Sequence, residues 1–404
     1  MVPIRSNAGA DGHSPDGRGC AGVARPVLPA PEAEGTEVDD TEAMARAITI
    51  AERVRRRTPP NPWVGCVLVR NGQVVGEGAT FAPGGAHAEA AALTAAADQA
   101  RGATAYVTLE PCAHQGRTGP CATALIDAGV TRVVVALEDP DPHVQGRGID
   151  TLRAASVTVD IGVGADAARR SLAPYLHHRR TGRAFAVAKL AVSVDGRTAA
   201  RDGTARWITG ASARHDAHEQ RADSQAVVVG AGTAISDQPS LTVRDVANPG
   251  PHRPLRVVLD ARGRVDTTGP LFDPALAPTL IVTTDAAPTD RVDAWQAAGA
   301  KVDVVNAAPD GVDLTETLTR LGGHGVLQAL VEGGAILHGA LWAAGLVDRL
   351  VVYVGATLLG ADAHPALVWP GPPTISDAPH LTLTGVTALD DDVRLTYDRD
   401  DEAT

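Results

Sequence analysis

The chain has 404 residues, too many for one typical core of about 100–200 residues and comfortable for two. With 44% hydrophobic and 21% charged residues it is no disordered polyelectrolyte, and no run approaches the ~20 apolar residues of a bilayer span. A formal charge of −12 with only 3% aromatics argues against a nucleic-acid or anionic-membrane surface, which needs basic patches and stacking platforms.

Residues 1–38 mix proline, glycine and charge without apolar periodicity and read as a disordered tail. No hydrophobic stretch of signal-peptide length follows Met1, so a cytoplasmic protein is expected. From Asp39, Met44, Ile48, Ala51 and Val54 recur at helical spacing, and a proline-rich segment at 58–62 breaks the pattern. An apolar strand at 64–69, the turn signal Asn71-Gly72 and a return strand from Val74 follow. Helix 87–100 with strand 105–109, then helix 121–128 with strand 132–137, complete a three-layer α/β/α unit over 39–165. The arginine-rich stretch 166–182 reads as a connector. A second alternation over 183–400 places strands at 185–190, 226–229, 255–259, 280–283, 326–331 and 350–354. Helices at 212–222, 290–298 and 335–344 lie between several of them, which favours a mostly parallel α/β sheet.

Four cysteines, at 20, 66, 112 and 121, are too few for a disulfide-stapled scaffold. Two of them join the strongest local signal, His87-Ala88-Glu89 with Pro111-Cys112 and Cys121. One His and two Cys offer three zinc ligands and leave a fourth tetrahedral position to water, the arrangement of a catalytic site. Glu89, two residues on at a helix start, is placed to take a proton from that water and return it to a departing amine. The arrangement is that of zinc base deaminases, whose short form is H-x-E…P-C-x-x-C, although eight residues separate the two cysteines here. Cys66, mid-strand, reads as core, and Cys20 lies in the tail.

The longer spacing, with Thr108-Leu109-Glu110-Pro111-Cys112-Ala113-His114 running to Gly119-Pro120-Cys121, resembles one branch of the cytidine-deaminase-like superfamily. That branch is the bifunctional deaminase–reductase of riboflavin biosynthesis. Asn61-Pro62-Trp63-Val64-Gly65 is similar to its substrate motif. Lys189-Leu190-Ala191-Val192-Ser193, Arg206-Trp207-Ile208-Thr209-Gly210, Val229-Gly230-Ala231-Gly232-Thr233, Asp237-Gln238-Pro239-Ser240-Leu241 and Val331-Glu332-Gly333-Gly334 resemble its reductase half. The resemblance spans about residues 40–360, in order.

The resemblance implies a zinc deaminase followed by a dihydrofolate-reductase-like, NADPH-dependent domain, both acting on small nucleotide-like substrates. It places zinc on His87, Cys112 and Cys121 and proton transfer on Glu89, with Asn61 and His114 on the deaminase substrate. A turn-capping role for Asn61 and a plain loop role for His114 remain the alternatives. NADPH is expected at Ala191, Trp207, Thr233, Asp237 and Ala261, and along Gly334, Ala335, Ile336, Leu337, His338, Gly339 and Ala340. The reductase substrate is expected at Lys189, Ala205, Arg221, Leu241, Arg244 and Glu332. Lys189 either assists ribose-ring opening or forms a buried ion pair. Small-residue turns after 226–230 and 331 allow backbone N–H groups close to phosphate, at strand carboxyl ends where α/β sheets gather ligands.

Association of copies through the reductase domain is also implied. Thr80 stands where the family commonly has His, and Ala205 where it often has Ser. A related deaminase–reductase acting on another nucleotide is therefore the alternative.

Overall fold

The computed structural model describes residues 37–114, 119–309 and 311–399. All but the last two residues of the expected tail, with Cys20, and the 115–118 part of the loop between Cys112 and Cys121 lie outside the described residues.

Helix α1 (Asp40–Glu52) starts where the Asp39 carboxylate accepts the Glu42 N–H at 2.8 Å, and it buries Ala43, Met44, Ala47 and Ala51. β1 (Gly65–Arg70) and β2 (Gln73–Ala79) form a hairpin. Its two-residue turn has Asn71 and Gly72 at positive φ, the combination that follows strand twist. α2 (Ala88–Ala96), β3 (Thr104–Val107), α3 (Cys121–Asp127), β4 (Arg132–Val135), α4 (Arg147–Ala154) and β5 (Thr158–Ile161) follow. The sheet runs β2-β1-β3-β4-β5, antiparallel across its first three strands and parallel from β3 to β5.

The stretch expected as a connector is instead a regular helix, α5 (Ala165–Thr181). Ala168, Leu172, Tyr175 and Leu176 share one stripe and are buried in the core of the first sheet. Its arginines and an internal Pro174 mask that stripe in the sequence.

The second half comprises β6 (Phe185–Ser193), β7 (Arg197–Ala199), α6 (Ala211–Ala222), β8 (Ala226–Gly230), α7 (Ala231–Asp237), β9 (Leu255–Leu259) and β10 (Thr279–Thr283). Then come α8 (Thr289–Ala297), β11 (Lys301–Val304), β12 (Ala307–Ala308), β13 (Gly311–Val312), α9 (Leu314–Gly323), β14 (Gln328–Val331) and α10 (Ala335–Ala343). β15 (Arg349–Gly355), β16 (His364–Pro365), β17 (Leu381–Leu389) and β18 (Asp392–Arg399) close the chain. Nine strands form one sheet in the order β11-β10-β9-β8-β14-β6-β15-β18-β17, parallel from β11 to β15. The last two are an antiparallel hairpin absent from the sequence reading. β17 is an edge strand with most residues exposed, so core burial wrote no apolar run there.

The two halves share packing. Leu327, just ahead of β14, is fully buried in the same cluster as Leu172 and Leu176. Among the described residues, no helix is long and apolar enough to cross a membrane. Leu172→Ala should lower stability by about 2–5 kcal/mol, read as a shifted urea midpoint, because α5 is part of a core.

Candidate active sites

In the first half, two close approaches set the site. A Cβ on Gly78 would stand 2.2 Å from the Ala88 carbonyl oxygen, and one on Gly76 2.4 Å from that of Ala92, so α2 lies flush on β2. His87 is the residue that caps α2, and Glu89 is in its first turn, 4% exposed. Cys112 follows β3 in a loop, and Cys121 opens α3. Glu110 fixes that loop: its carboxylate accepts N–H groups of Gly146, Gly148, Ile149 and Asp139 at 2.9–3.3 Å. This brace was not foreseen, although Glu110 stands two residues before a ligand candidate and is buried.

His87 Nδ1 lies 3.6 Å from Cys112 Sγ and 3.3 Å from Cys121 Sγ, and the three donor atoms fall within 4.8 Å of one another. With Zn–S of ~2.3 Å and Zn–N of ~2.0–2.1 Å, the N···S edge of a tetrahedron is about 3.6 Å. The donors therefore fit a tetrahedral zinc ion without rearrangement. Burial pushes the Glu89 carboxyl up to about 7, against the pull of its own backbone N–H. The Cys121 thiol and then His87 draw the Cys112 thiol down, and Cys121 is raised in turn by the same contact; zinc ligation takes both as thiolates. Cys66 is fully buried on β1, with its thiol pushed up by desolvation.

Asn61 is half-buried in the turn after α1, where its N–H donates to the Thr58 carbonyl at 2.9 Å. His114 is exposed. Thr80 is buried, and its hydroxyl accepts the Val64 N–H at 3.2 Å. It thus pins β2 to the segment before β1 rather than facing outward.

In the second half, β9, β8, β14, β6 and β15 run parallel side by side, so their carboxyl ends form one rim. A cleft there is lined by Lys189, Ala191, Glu332, Gly334, Ala335 and His338. Glu332 is the electrostatic centre. Its carboxylate receives Arg221 through a two-point contact, Nε at 2.6 Å and Nη2 at 2.9 Å, and Lys189 Nζ stands 3.7 Å away. Burial alone would raise this carboxyl; Arg221 and Lys189 outweigh it and hold Glu332 at about 2.

Arg221 Nη1 also donates to the Thr242 carbonyl at 2.9 Å. Beside that carbonyl, Leu241 is buried and has φ 49, a left-handed conformation that costs a branched side chain about 1–3 kcal/mol. Leu241 packs into the core beside Val227 and Val229, so what it offers the rim is its backbone. Arg244 Nη1 donates to Ser240 Oγ at 2.9 Å, and its N–H to His218 Nδ1 at 3.2 Å. Burial, Arg221 and Arg244 push His218 down to about 4. His218 was overlooked in the sequence; its position one turn before Arg221 on the same helix was the available signal.

The other expected residues divide by exposure. Trp207 is 68% exposed, with the Arg214 guanidinium 4.5 Å from its ring centre; Ala205 is exposed in the same loop. Thr233 and Asp237 lie on α7, with Thr233 Oγ1 only 3.7 Å from where a Gly334 Cβ would stand. Ala261 follows β9, partly buried. In the 334–340 stretch, Gly334 and Ile336 are open, Ala335, Leu337 and Ala340 partly buried, and His338 and Gly339 turned inward.

Comparison with known proteins agrees with both halves. The family model for the cytidine and deoxycytidylate deaminase zinc-binding region matches residues 37–137, and that of the RibD C-terminal domain matches 184–395. The riboflavin biosynthesis protein RibD of Chlamydia pneumoniae is 44% identical, covering 80% of this chain and 86% of its own. That of Escherichia coli is 39% identical over 89% and 99%. The solved structure of Acinetobacter baumannii RibD, form 1, superposes with TM-score 0.79 at 38% identity, covering 89% of this chain and 98% of its own. A Thermotoga maritima diaminohydroxyphosphoribosylaminopyrimidine deaminase/5-amino-6-(5-phosphoribosylamino)uracil reductase gives 0.77 at 28% identity, with the same coverage.

Fold, site and relatives together define a bifunctional enzyme, a zinc-dependent deaminase joined to an NADPH-dependent reductase. The chain belongs to the RibD family and acts in riboflavin biosynthesis.

Because folding depresses the Glu332 pKa, its ion pairs contribute stability that is complete above the ordinary carboxylate value of 4.5 and is lost as pH falls toward about 2. Glu332→Gln should remove that part of the acid unfolding slope. It should also cost about 3–5 kcal/mol near neutral pH by leaving Arg221 without its anion, measured by denaturant titration at several pH values.

Proposed function

We propose that the chain deaminates 2,5-diamino-6-ribosylamino-4(3H)-pyrimidinone 5′-phosphate and then reduces 5-amino-6-(5-phosphoribosylamino)uracil to its ribitylamino product. Its relatives' activities support these substrates. The observation that carries the reading is the buried Glu89 beside a zinc-sized His87, Cys112 and Cys121 triangle, on one chain with a charged reductase cleft.

In the deaminase, His87, Cys112 and Cys121 hold the zinc. Bound zinc supplies Lewis acidity that brings the pKa of a water toward ~7. Glu89, with a carboxyl near the same value, accepts a proton and returns it to the amine leaving C2. Asn61 and His114 hold the pyrimidine and its ribose phosphate, the latter from an exposed loop. Thr80 takes no part in that grip, since its hydroxyl is used within the fold.

In the reductase, NADPH supplies the hydride. Gly334 to Ala340 would hold its pyrophosphate, where no side-chain cap meets the N-terminus of α10. Ala191, Trp207, Thr233, Asp237 and Ala261 complete the cofactor contacts. Arg244 is the phosphate donor: its partners Ser240 and His218 carry no negative charge, so its own charge is left for an anion. Arg221 is occupied by Glu332, and together they orient the substrate with the Leu241 and Ala205 backbone. Lys189 forms the ion pair with Glu332 and lines the cleft, from which it would assist ribose-ring opening. The cytoplasm is the setting proposed for both steps. Exposed Leu383 and Val386 on edge strand β17 support association of copies through the reductase half.

Glu89→Gln should keep its zinc while losing ~10²–10⁴-fold in deamination, with reduction of separately supplied intermediate unchanged. Metal analysis and the two assays decide it; no turnover of either compound by the unaltered protein would sink the substrate assignment.

A further inference from the structure

The reductase substrate site is braced from outside its own half. Arg56 lies in the turn that ends α1, in the deaminase half. Its guanidinium crosses to α6, with Nε 2.6 Å from Asp223 Oδ1 and Nη2 2.5 Å from Glu219 Oε2. Its third nitrogen, Nη1, faces the carbonyls of Ala247 and Asn248 at 3.4 Å each. The same loop presses on the Arg56 backbone: a Cβ on Gly250 would stand 2.6 Å from the Arg56 carbonyl oxygen, and Gly250 has φ +84. Neighbouring Arg55 is stacked over Trp63 at 5.0 Å and reaches Gln328 Oε1 at 2.9 Å, at the start of the strand that leads to Glu332.

What Arg56 grips is what presents the substrate groups. At 100° per residue, Glu219 and Asp223 fall on one side of α6 and Arg221 on the other. The contacts agree: the first two face Arg56, while Arg221 faces Glu332 and Thr242. The loop held through Ala247 and Asn248 begins a few residues after Arg244, whose N–H is tied to His218 on the same helix. One side chain thus fixes the two supports of the Arg221 and Arg244 pair, and it is only 20% exposed.

We propose that Arg56 is a positioning residue for the reductase: through α6 and the 245–250 loop it sets the spacing of Arg221 and Arg244 around the phosphorylated substrate. This rests on the assignment of those two arginines to the substrate. The deaminase half thereby contributes to the grip of the second catalyst on its ligand, beyond feeding it product.

The test uses the full chain with 5-amino-6-(5-phosphoribosylamino)uracil supplied, following NADPH oxidation. Arg56→Gln should raise the KM for that compound about tenfold, with kcat, the KM for NADPH and deamination all within about twofold. Arg56→Lys, which restores charge but not the three-way geometry, should recover part of the loss. Glu219→Gln with Asp223→Asn should raise KM similarly, and combining them with Arg56→Gln should add little, as expected for one shared interaction. Should Arg56→Gln fail to fold, that pair of changes on α6 carries the same comparison. An unaltered KM in a folded variant, or a parallel fall in kcat and deamination, overturns the proposal. Arg244→Gln separates the two assignments. If it leaves KM unchanged, the substrate reading itself is wrong; if it raises KM while Arg56→Gln does not, only the brace is wrong.

Discussion

A carboxylate is hard to withdraw from water, and the Glu332 side chain keeps only 10% exposure at the carboxyl rim of a nine-stranded sheet. It is tolerable there because Arg221 meets it through two nitrogens and Lys189 stands beside it. Each partner comes from a different element: Arg221 from α6, Lys189 from β6, and Glu332 itself from the end of β14. Arg221 then spends its remaining nitrogen on the Thr242 carbonyl, fixing the loop that follows the left-handed Leu241. One charge requirement therefore aligns a helix, two strands and a loop around a single cleft. The geometry costs stability in a strained residue and in desolvation, which is common where a site must be held ready before its ligand arrives.

The deaminase half solves its placement problem by steric means. Gly76 and Gly78 remove the side chains that would hold α2 off β2, and Gly148 lets α4 approach the Pro111 carbonyl. Glu110 then collects four backbone N–H groups and fixes the loop that presents Cys112. The metal-facing atoms are thus supported by backbone contacts a few residues away.

The sequence made some of this legible and hid the rest for physical reasons. The His87, Glu89, Cys112 and Cys121 spacing was readable because metal chemistry restricts residue types so tightly. The central parallel strands were readable from their apolar runs, whereas β5 and β11, half-exposed at sheet edges, were not. Helix α5 was not, since the buried Ala168, Leu172, Tyr175 and Leu176 alternate with arginines and include a proline turn. The β17–β18 hairpin left little trace, because an edge strand has no core to fill. His218 and Arg56 were hidden for another reason: their partners lie 26 and more than 160 residues away, and pairing at that distance leaves no local pattern.

Leu327 gives the fused architecture a folding rationale. It belongs by chain position to the reductase but is packed among Leu172, Leu176 and other residues of the first core. Severed at the junction, the reductase fragment would present a bare leucine, and the deaminase fragment would keep a hollow of matching size. The junction is therefore part of a core and not a passive linker, and the unit that folds is the fused chain.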